Sequence, residues 1–320
     1  MTHYFVFNGD ADGLCALQQL RLAEGVGGTL ITGVKRDIAL LAQVEASAGD
    51  ACTVLDISLD VNRVALVGLL AAGVSVRYFD HHFAGEVPEH PLLEAHLDPS
   101  PAMCTSLLVD RALGGRARPW AVAGAFGDSL DEPATALARA AGLDAAARET
   151  LRELGTAINY NAYGETLEDL HVAPAVLAEE LAKYESPLAF ARSSETYLRL
   201  RRGFSEDLAR AAELPPFRRA PGTLQFVLPE EPWARRVSGT LANQLAKAHA
   251  GTAIALLSPK TAGGYLVSIR VPETSLVSAE GFCRRFPSGG GRRTAAGINH
   301  LALSEVERFS AEFEREFHHE

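Results

Sequence analysis

Short apolar runs alternate with segments of helical periodicity in the first quarter of the chain. Apolar residues recur at helical spacing over 14–23, 37–46 and 61–71. The runs between them are "HYFVFN" at 3–8, "TLITGV" at 29–34, "CTVLDI" at 52–57 and "VSVRYFD" at 74–80. This alternation predicts a doubly wound α/β domain, in which a mainly parallel sheet is covered by helices on both faces.

The pattern changes after these four strands. From about residue 105 to residue 212 the spacing is almost wholly helical, with one break at Gly127 and Asp128. A charged stretch over 186–219 contains Pro215 and Pro216 and predicts a connector. A smaller second α/β domain is predicted by a helical pattern over 233–250 and strand patterns at 224–228, 252–257 and 264–271. The expected boundaries are 1–190 for the first domain, 191–216 for a connector or hinge and 217–320 for the second domain.

The composition is that of an ordinary globular protein. The chain has 320 residues, of which 47% are hydrophobic, enough to build two compact cores. No apolar run approaches the roughly 20 residues that cross a bilayer, and the N-terminus lacks the pattern of a signal peptide. We therefore expect a cytoplasmic protein with no membrane partner. The four cysteines form no C-x-x-C pair and are expected to be reduced core residues.

The charge disfavours one class of partner. A net charge of -10 and a pI near 5.5 argue against the broad basic face that duplex DNA requires. A small anionic substrate in a locally positive pocket remains compatible with this charge.

Carboxylates stand at the carboxyl ends of the predicted strands, the edge at which open α/β sheets bind ligands. Two histidines that follow the fourth strand and an aspartate at the helical break join these carboxylates. The whole set is Asp10, Asp12, Asp56, Asp80, His81, His82 and Asp128. Like charges gathered at one edge would repel one another unless a cation neutralised them. Carboxylate and imidazole ligands together suit manganese, or magnesium in its place. Two such ions about 3.5–4 Å apart would form the clamp used for in-line displacement at phosphorus.

Each member of this set has a simpler explanation when it is taken alone. The stretch "NGDADG" at 8–13 is typical of a turn that caps a helix. Asp131 competes with Asp128 for any role at the helical break. The histidine pair is a weak signal, although adjacent side chains on an extended segment point to opposite sides, so one could bind a metal while the other faces a substrate. The order and spacing of the whole set carry the prediction of a metal centre.

Six stretches of the sequence together resemble a known family. They are "NGDADGLCA" at 8–16, "VLDIS" at 54–58, "FDHHFAG" at 79–85, "GAFGD" at 124–128, "VSIR" at 267–270 and "GFCRRFPSGGGRRTAAG" at 281–297. The first four are similar to the ordered motifs of the DHH phosphoesterases, and the last two look like the signature of their DHHA1 domain. The resemblance covers nearly the whole chain. It implies a DHH catalytic domain followed by a DHHA1 substrate-binding domain, as in nano-RNases and RecJ-like proteins.

The resemblance implies a two-ion centre in the first domain. Asp10 and Asp56 would hold one divalent cation, most readily manganese, with magnesium or cobalt as substitutes. Asp12, Asp56, His81 and Asp128 would hold the other, so that Asp56 bridges the pair. The resemblance further implies that a hydroxide held between the two ions is the nucleophile.

The resemblance also implies roles in catalysis and in substrate binding. Asp80 would orient a neighbouring histidine, and His82 would face the transferred phosphoryl group. Substrate would be bound in the second domain by Arg270, Gly289, Gly290, Gly291 and Arg292. Glycine backbone can cradle a phosphate because no Cβ blocks a close approach, and arginine forms charge-assisted hydrogen bonds to one.

Two positions depart from the family pattern. Asn8 stands where many relatives have a histidine. Its neutral amide oxygen can be only a weak ligand of the first ion, or it can form hydrogen bonds with the residues that bind that ion. Arg292 stands where many relatives have a histidine in the glycine-rich loop, which favours a more anionic end of the substrate.

These features favour a manganese-dependent phosphodiesterase. The expected substrates are short single-stranded oligonucleotides, or small nucleotides such as a cyclic dinucleotide or 3′-phosphoadenosine 5′-phosphate. The lack of an extra OB-type domain, with the acidic pI, is expected to disfavour a processive DNA exonuclease. An exopolyphosphatase is the first alternative, because of Arg292 and the lack of an obvious stacking aromatic in the loop. A nucleotide sensor without catalysis is the second, and a homodimer remains open.

Overall fold

The structure is a computed structural model that describes residues 1–318. The chain divides into two compact units, Met1–Gly203 and Phe204–Glu320. Within the described residues, no helix is both long and apolar enough to cross a membrane. The four cysteines are buried and free, which confirms the expectation of reduced core residues.

The first unit contains five strands and most of the helices of the chain. Its strands are β1 (His3–Phe7), β2 (Thr29–Thr32), β3 (Ala51–Leu55), β4 (Ser75–Asp80) and β5 (Leu93–Leu97). Its first helices are α1 (Ala11–Glu24), α2 (Leu59–Ala71), α3 (Thr105–Ala112), α4 (Arg118–Gly127) and α5 (Asp131–Ala140). They are followed by α6 (Ala145–Asn161), α7 (Pro174–Leu181), α8 (Pro187–Ser193) and α9 (Glu195–Ala212). The predicted connector over 191–216 is therefore largely helical, and α9 crosses the division between the units.

The five strands form one parallel sheet in the order β2-β1-β3-β4-β5. Alternate residues of β1 enter two different cores, so that Phe5 and Phe7 pack with α1 and α4 while Val6 packs with α2. The strand order reverses between β1 and β3. Because ligands bind at the carboxyl end of such a reversal, this topology places the segments after β1 and β3 where a site is expected.

The predicted fold class is confirmed, but two details of the first unit differ from the sequence prediction. The helix predicted over 37–46 is wrong, since only a short 3-10 turn forms at Leu40–Gln43. The side chain of Asn62 holds this segment by accepting from the Leu41 N–H at 3.1 Å and donating to the Ile38 carbonyl at 2.6 Å. Strand β5 was not predicted; it is an edge strand that pairs with β4.

Over its described residues, the second unit has a six-stranded mixed sheet, the end of α9 and three further helices. Its strands are β6 (Arg218–Ala220), β7 (Thr223–Val227), β8 (Ala253–Pro259), β9 (Tyr265–Arg270), β10 (Gly289–Gly291) and β11 (Ala295–Leu301). Its helices are α10 (Pro232–Ala248), α11 (Ala279–Cys283) and α12 (Val306–Glu316). The strand order is β10-β11-β9-β8-β7-β6, and only β7 and β8 are parallel. The glycine-rich segment is therefore a β-hairpin, in which β10 pairs with β11.

Candidate metal centre

The segment after β1 turns directly into α1 and carries two of the predicted ligands. Asp10 is the N-cap of α1, and its Oδ1 accepts from the backbone N–H groups of Asp12 (3.0 Å) and Gly13 (3.2 Å). The other carboxylate oxygen of Asp10 pairs with the Lys35 ammonium. Asp10 is therefore a helix cap and an ion-pair partner together, so the capping explanation left open by the sequence is correct for part of its role.

Asp12 faces a second helix. Its two carboxylate oxygens accept from the backbone N–H groups of Thr105 and Ser106, each at 2.7 Å, at the start of α3. The Ser106 hydroxyl also donates to the Asp12 carbonyl at 2.8 Å. Two of the unpaired N–H groups at the start of α3 are thus satisfied by a buried carboxylate, which also suits the positive end of the helix dipole.

Asp56 lies directly after β3 with a left-handed backbone, at φ of 60°. This conformation costs most non-glycine residues roughly 1–2 kcal/mol, although Asp and Asn tolerate it better than other types. Its backbone N–H donates to the Phe79 carbonyl at 3.0 Å, and its Oδ1 accepts from the Thr105 hydroxyl at 3.2 Å. The side chain is held among the other carboxylates with 3% of its surface exposed.

The two histidines after β4 differ in their surroundings. His81 points toward the carboxylates of Asp56 and Asp128, with 12% of its side chain exposed. His82 is more exposed and its Nδ1 lies 2.7 Å from Oδ1 of the buried Asp80. The second oxygen of Asp80 is buried and has no hydrogen-bond partner within the described part of the chain. The Asp80 carboxylate therefore faces His82, and its hydrogen bond and charge raise the pKa of that histidine.

Asp128 follows the last residue of α4, where the chain leaves the helix. An added Cβ on the preceding Gly127 would lie 2.3 Å from the Ala11 side chain, so a glycine lets α4 approach α1 closely at this point. Asp131, the competing residue in the sequence, is exposed at the start of α5 and pairs with Arg152. The structure thus directs Asp128, and not Asp131, toward the other carboxylates.

His81 lies close to two of the predicted carboxylate ligands. His81 Nε2 lies 3.4 Å from Asp56 Oδ1 and 3.9 Å from Asp128 Oδ2. Two donor atoms that are each about 2.1 Å from the same ion are separated by about 3.0 Å at a right angle and about 4.2 Å in line. Both measured separations fall inside that interval. The three ligand atoms found within 4.8 Å of one another belong to Asp56, His81 and His82, and Asp128 adjoins this group through His81.

The sequence interpretation missed Lys35, which follows β2. Its ammonium pairs with Asp10 and donates to Asn159 Oδ1 at 3.1 Å, and it lies 5.5 Å from the centre of the Tyr163 ring. Its backbone N–H donates to the Ala162 carbonyl at 2.9 Å. A lone lysine at a strand end carries no recognisable signature, and its partners on and after α6 are far away in the sequence.

The carboxylates strongly influence one another's protonation. Burial, and then the charges of Asp10, Asp12 and Asp128, raise the pKa of Asp56 well above its ordinary value. Burial and the charge of Asp12 raise the pKa of Asp128 to about 6. Burial alone would raise the pKa of Asp10, but the Lys35 ammonium outweighs it and the pKa of Asp10 is lowered. The single Lys35 ammonium thus leaves most of the negative charge of these carboxylates uncompensated.

Two further pKa values follow from these ion pairs. Burial would lower the pKa of Lys35, but the charge of Asp10 outweighs this effect, so the pKa is raised well above its ordinary value. Burial would likewise lower the pKa of His82, but the hydrogen bond and the charge of Asp80 raise it. Lys35 and His82 therefore both favour their positively charged forms.

The chemistry of the donor set fits a divalent cation. The converging atoms are carboxylate oxygens and one imidazole nitrogen, and the raised pKa values of Asp56 and Asp128 report a lack of positive charge among them. Cys104 lies beside Asp12, but burial and the charge of Asp12 raise the pKa of its thiol well above the ordinary value, so it does not join the set as a thiolate. Asn8 offers little to an ion, because its Oδ1 accepts from the Asp10 N–H and its Nδ2 donates to the Lys35 carbonyl, each at 3.2 Å.

In the second unit, the predicted substrate-binding residues lie on β9 and the glycine-rich hairpin. Arg270 at the end of β9 donates from Nε to Asn243 Oδ1 at 2.8 Å and from Nη1 to the Ile269 carbonyl at 2.9 Å. These contacts orient its guanidinium group. The exposed Arg292 side chain makes no hydrogen bond or ion pair with the residues that the structure describes, while its backbone N–H donates to the Ala295 carbonyl at 2.8 Å.

Two of the three glycines in the hairpin leave no room for a side chain, and the third does. An added Cβ on Gly289 would lie 1.8 Å from the Cys283 carbonyl oxygen, and Gly291 has φ of 145° with the Ala296 Cα 2.4 Å from an added Cβ. Close packing therefore explains both, against the end of α11 for Gly289 and against β11 for Gly291. The Gly289 N–H is also used, because it donates to the Phe286 carbonyl at 3.1 Å. Only Gly290 has open space beside it, so a close approach of a ligand is easiest there.

The same fold occurs in solved structures of metal-binding nucleases. A crystal structure of exonuclease RecJ bound to manganese matches 98% of this chain and 89% of its own chain, with a TM-score of 0.61 at 20% identity. RecJ from Thermus thermophilus in complex with Mn2+ gives a TM-score of 0.60 at 20% identity, and this chain spans 51% of it. No protein-family model matches the chain, and no curated protein does so.

A third solved structure has the same fold. PggH from Vibrio cholerae, described as a pGpG-specific phosphodiesterase, matches 98% of this chain and 99% of its own, with a TM-score of 0.53 at 13% identity. The chain therefore has the fold of the DHH/DHHA1 phosphoesterases, in their RecJ-like form. The expectation drawn from the ordered sequence stretches is confirmed at the level of the fold.

Proposed function

We propose that this protein is a metal-dependent phosphoesterase that cleaves short oligonucleotides or small nucleotides. The observation that carries the proposal is the position of His81 Nε2, which lies 3.4 Å from Asp56 Oδ1 and 3.9 Å from Asp128 Oδ2. The shared fold supports it, because the similar RecJ structures contain manganese and the similar PggH is a phosphodiesterase. Manganese is accordingly the proposed ion, with magnesium or cobalt as substitutes.

The residues of the centre have separable tasks in this proposal. Asp56, His81 and Asp128 hold the cation, with Asp12 beside them on the start of α3. When bound, the cation supplies Lewis acidity and a nucleophile at neutral pH. These carboxylates stay ionised once the cation is present, because its charge lowers their pKa values.

His82 contacts the phosphoryl group in this proposal. Its Nδ1 is directed at Asp80, which leaves Nε2 to donate to a phosphoryl oxygen. Asp80 keeps the imidazole protonated and correctly turned, so it acts through His82 without touching the substrate. In the second unit, Arg270, Gly290 and Arg292 are the proposed contacts for a further phosphate or for the end of an oligonucleotide.

One observation favours polyphosphate as a second candidate substrate. The only aromatic residue within 286–297 is Phe286, and it is 3% exposed because it packs in the core of the second unit. The hairpin therefore offers no aromatic face on which a base could stack, whereas the exposed Arg292 can pair with phosphate of any kind.

The experiment is a substrate screen with metal-free protein reloaded with manganese, magnesium or cobalt. The substrates are di- to pentaribonucleotides, cyclic dinucleotides, 3′-phosphoadenosine 5′-phosphate, polyphosphate and a small chromogenic phosphodiester. We expect hydrolysis that depends on the added ion. Binding of these nucleotides without turnover in any of the three ions would contradict the proposal and favour a nucleotide sensor.

The variant Arg292→Ala separates the two substrate classes. Loss of a charge-assisted contact is expected to lower kcat/KM by roughly 10- to 100-fold, equivalent to about 1.5–3 kcal/mol, for substrates that reach the hairpin. The small chromogenic ester should be unaffected. Arg284→Ala, which removes an equally exposed arginine paired with Glu280, is the matched control. Equal losses on all substrates would contradict a recognition role for Arg292.

A further inference from the structure

The first of the two ion positions implied by the family resemblance is already surrounded by protein groups. That position would rest on Asp10 and the bridging Asp56, and both carboxylate oxygens of Asp10 are engaged: Oδ1 caps α1, while Oδ2 pairs with Lys35. Asn8, the weak ligand predicted for the same ion, uses both ends of its amide for backbone hydrogen bonds. The Asp10 oxygen that does not cap α1 therefore already faces a positive charge, where the first ion would need to bind.

Lys35 is held in place from several directions. Asn8 fixes the Lys35 backbone carbonyl, and the Ala162 carbonyl accepts from the Lys35 N–H at 2.9 Å. At the other end of the side chain, Asn159 Oδ1 accepts from the ammonium at 3.1 Å, and the Tyr163 ring lies 5.5 Å from it. Residues on and after α6 therefore form a binding site for the ammonium group opposite Asp10. This arrangement differs from a surface lysine that happens to meet an acid.

A divalent cation on Asp10 would compete with this ammonium. Two positive groups that share one carboxylate repel each other, and the lysine would have to leave both Asp10 and Asn159 to make room. The contacts of His81 with Asp56 and with Asp128 involve neither Lys35 nor Asp10. The structure thus fits one divalent cation and does not fit a second one on Asp10.

We propose that the Lys35 ammonium takes the place of one of the two ions, so that the centre binds a single divalent cation through Asp56, His81 and Asp128. This inference rests on the metal centre of the proposed function and changes its composition. The fixed positive charge of Lys35 neutralises Asp10, and it offers a hydrogen-bond donor to a phosphoryl oxygen where a two-ion enzyme would use a second Lewis acid.

The test is the number of manganese ions bound by each chain. Titration calorimetry and the EPR spectrum at saturation should show one ion per chain, as an isolated Mn²⁺ signal. Lys35→Met removes the ammonium but keeps an unbranched side chain, and we expect this variant to bind two ions with a spin-coupled spectrum. Lys183→Met is the matched control, because Lys183 is exposed and pairs with Glu180 one turn earlier on the surface. It should bind one ion.

Each outcome decides the matter. Two ions in the wild type, or a coupled spectrum, would overturn the inference but leave the phosphoesterase proposal intact. One ion in both the wild type and Lys35→Met would show that the lysine is not what excludes the second ion, and this too overturns the inference. No binding to the wild type at millimolar manganese would remove the metal centre itself. If Lys35→Met does not fold, Lys35→Arg keeps the charge and must still bind one ion.

Discussion

At the scale of single residues, Asp56 has an unfavourable backbone conformation that its place in the candidate metal centre explains. Its left-handed backbone is rare for a residue other than glycine, and its buried carboxyl group lies among three other acids. Strained conformations of this kind persist where the surrounding structure fixes them, and they cluster at functional sites. The strain directs the carboxylate at His81, which a regular continuation of β3 would not do.

Asp56→Asn should separate the charge of this residue from its backbone conformation. Asn tolerates the left-handed region as well as Asp does, so we expect the fold to persist. Removing the negative charge should lower kcat at least about 100-fold. That value is the upper end of the loss in activity caused by replacing a residue that only hydrogen-bonds to a metal ligand. The melting temperature of the metal-free variant should rise, because repulsion among the buried carboxylates is relieved. Steady-state kinetics and thermal unfolding check both effects.

The control for this variant is Asp60→Asn. Asp60 is half-exposed at the start of α2 and pairs with Arg63, so the substitution should leave kcat and metal affinity unchanged. Near-normal turnover of Asp56→Asn would contradict the role of Asp56 as a ligand.

His82 should give the centre a pH dependence set by Asp80. Asp80 raises the pKa of His82, so the protonated donor persists to higher pH and activity should fall as pH rises through this pKa. In Asp80→Asn the pKa of His82 should fall, and the loss of activity should move to lower pH. The measurement is kcat/KM against pH. In His82→Ala, the fall in kcat/KM at high pH should disappear. If that fall is unchanged in either variant, a group other than His82 causes it.

At the scale of secondary-structure elements, Asp12 connects the centre to α3. The carboxylate accepts from two backbone N–H groups of the helix, both at 2.7 Å. Replacing it leaves two buried donors unpaired, and each unpaired donor costs about 1–3 kcal/mol. Asp12 therefore belongs to the structural support of the fold as well as to the candidate ligand set.

Asp12→Ala should destabilise the protein even without metal. We expect the free energy of unfolding of the metal-free protein to fall by about 2–4 kcal/mol, as read from urea denaturation. Asp128→Ala, which removes a carboxylate that supports no helix start, should not lower the metal-free stability. A similar loss in both variants would show that the contacts of Asp12 with α3 contribute little.

The sequence predicted the elements whose patterns are strong. Strands β1 to β4 have alternating apolar residues that enter two cores, and these were placed within two residues of their observed ends. Strand β5, "LEAHL", was missed because it has few strand-forming residues and pairs on one side only. The 37–46 segment follows a helical pattern, but hydrogen bonds from Asn62 on α2 outweigh local propensity.

The same reasoning explains which parts of the centre were predictable. Strand ends meet at one edge of a parallel sheet, so the neighbourhood of Asp10, Asp56 and Asp80 follows from the strand pattern alone. The position of Lys35 depends on Asn159, and these residues meet only because α6 folds back near the end of β2. No local pattern encodes such a contact.

At the scale of the whole molecule, binding of the cation and protonation of the centre are linked. The raised pKa of Asp128, about 6, means that the metal-free folded protein holds a proton there more tightly than the unfolded chain does. That contribution to stability is complete below the ordinary value and is lost as pH rises through about 6. A cation instead requires the ionised carboxylate, so its stabilising effect grows over the same interval.

The increase in melting temperature caused by manganese should therefore be small at pH 5 and large at pH 7. Protein freed of metal by dialysis should be compared with protein in excess manganese at each pH. In Asp128→Asn the increase should be small throughout. Asp131→Asn removes the neighbouring exposed carboxylate and should behave like the wild type. An increase that does not vary with pH would contradict the linkage.

The ligands of the centre come from the ends of β3, β4 and α4, so no short piece of the chain contains it. An ion that needs Asp56, His81 and Asp128 together can bind only after these elements have assembled. It then stabilises contacts that the folding transition state lacks, so it slows unfolding without speeding folding. Metal supply would thus set the lifetime of the folded protein, and hence its resistance to proteolysis, as well as its activity.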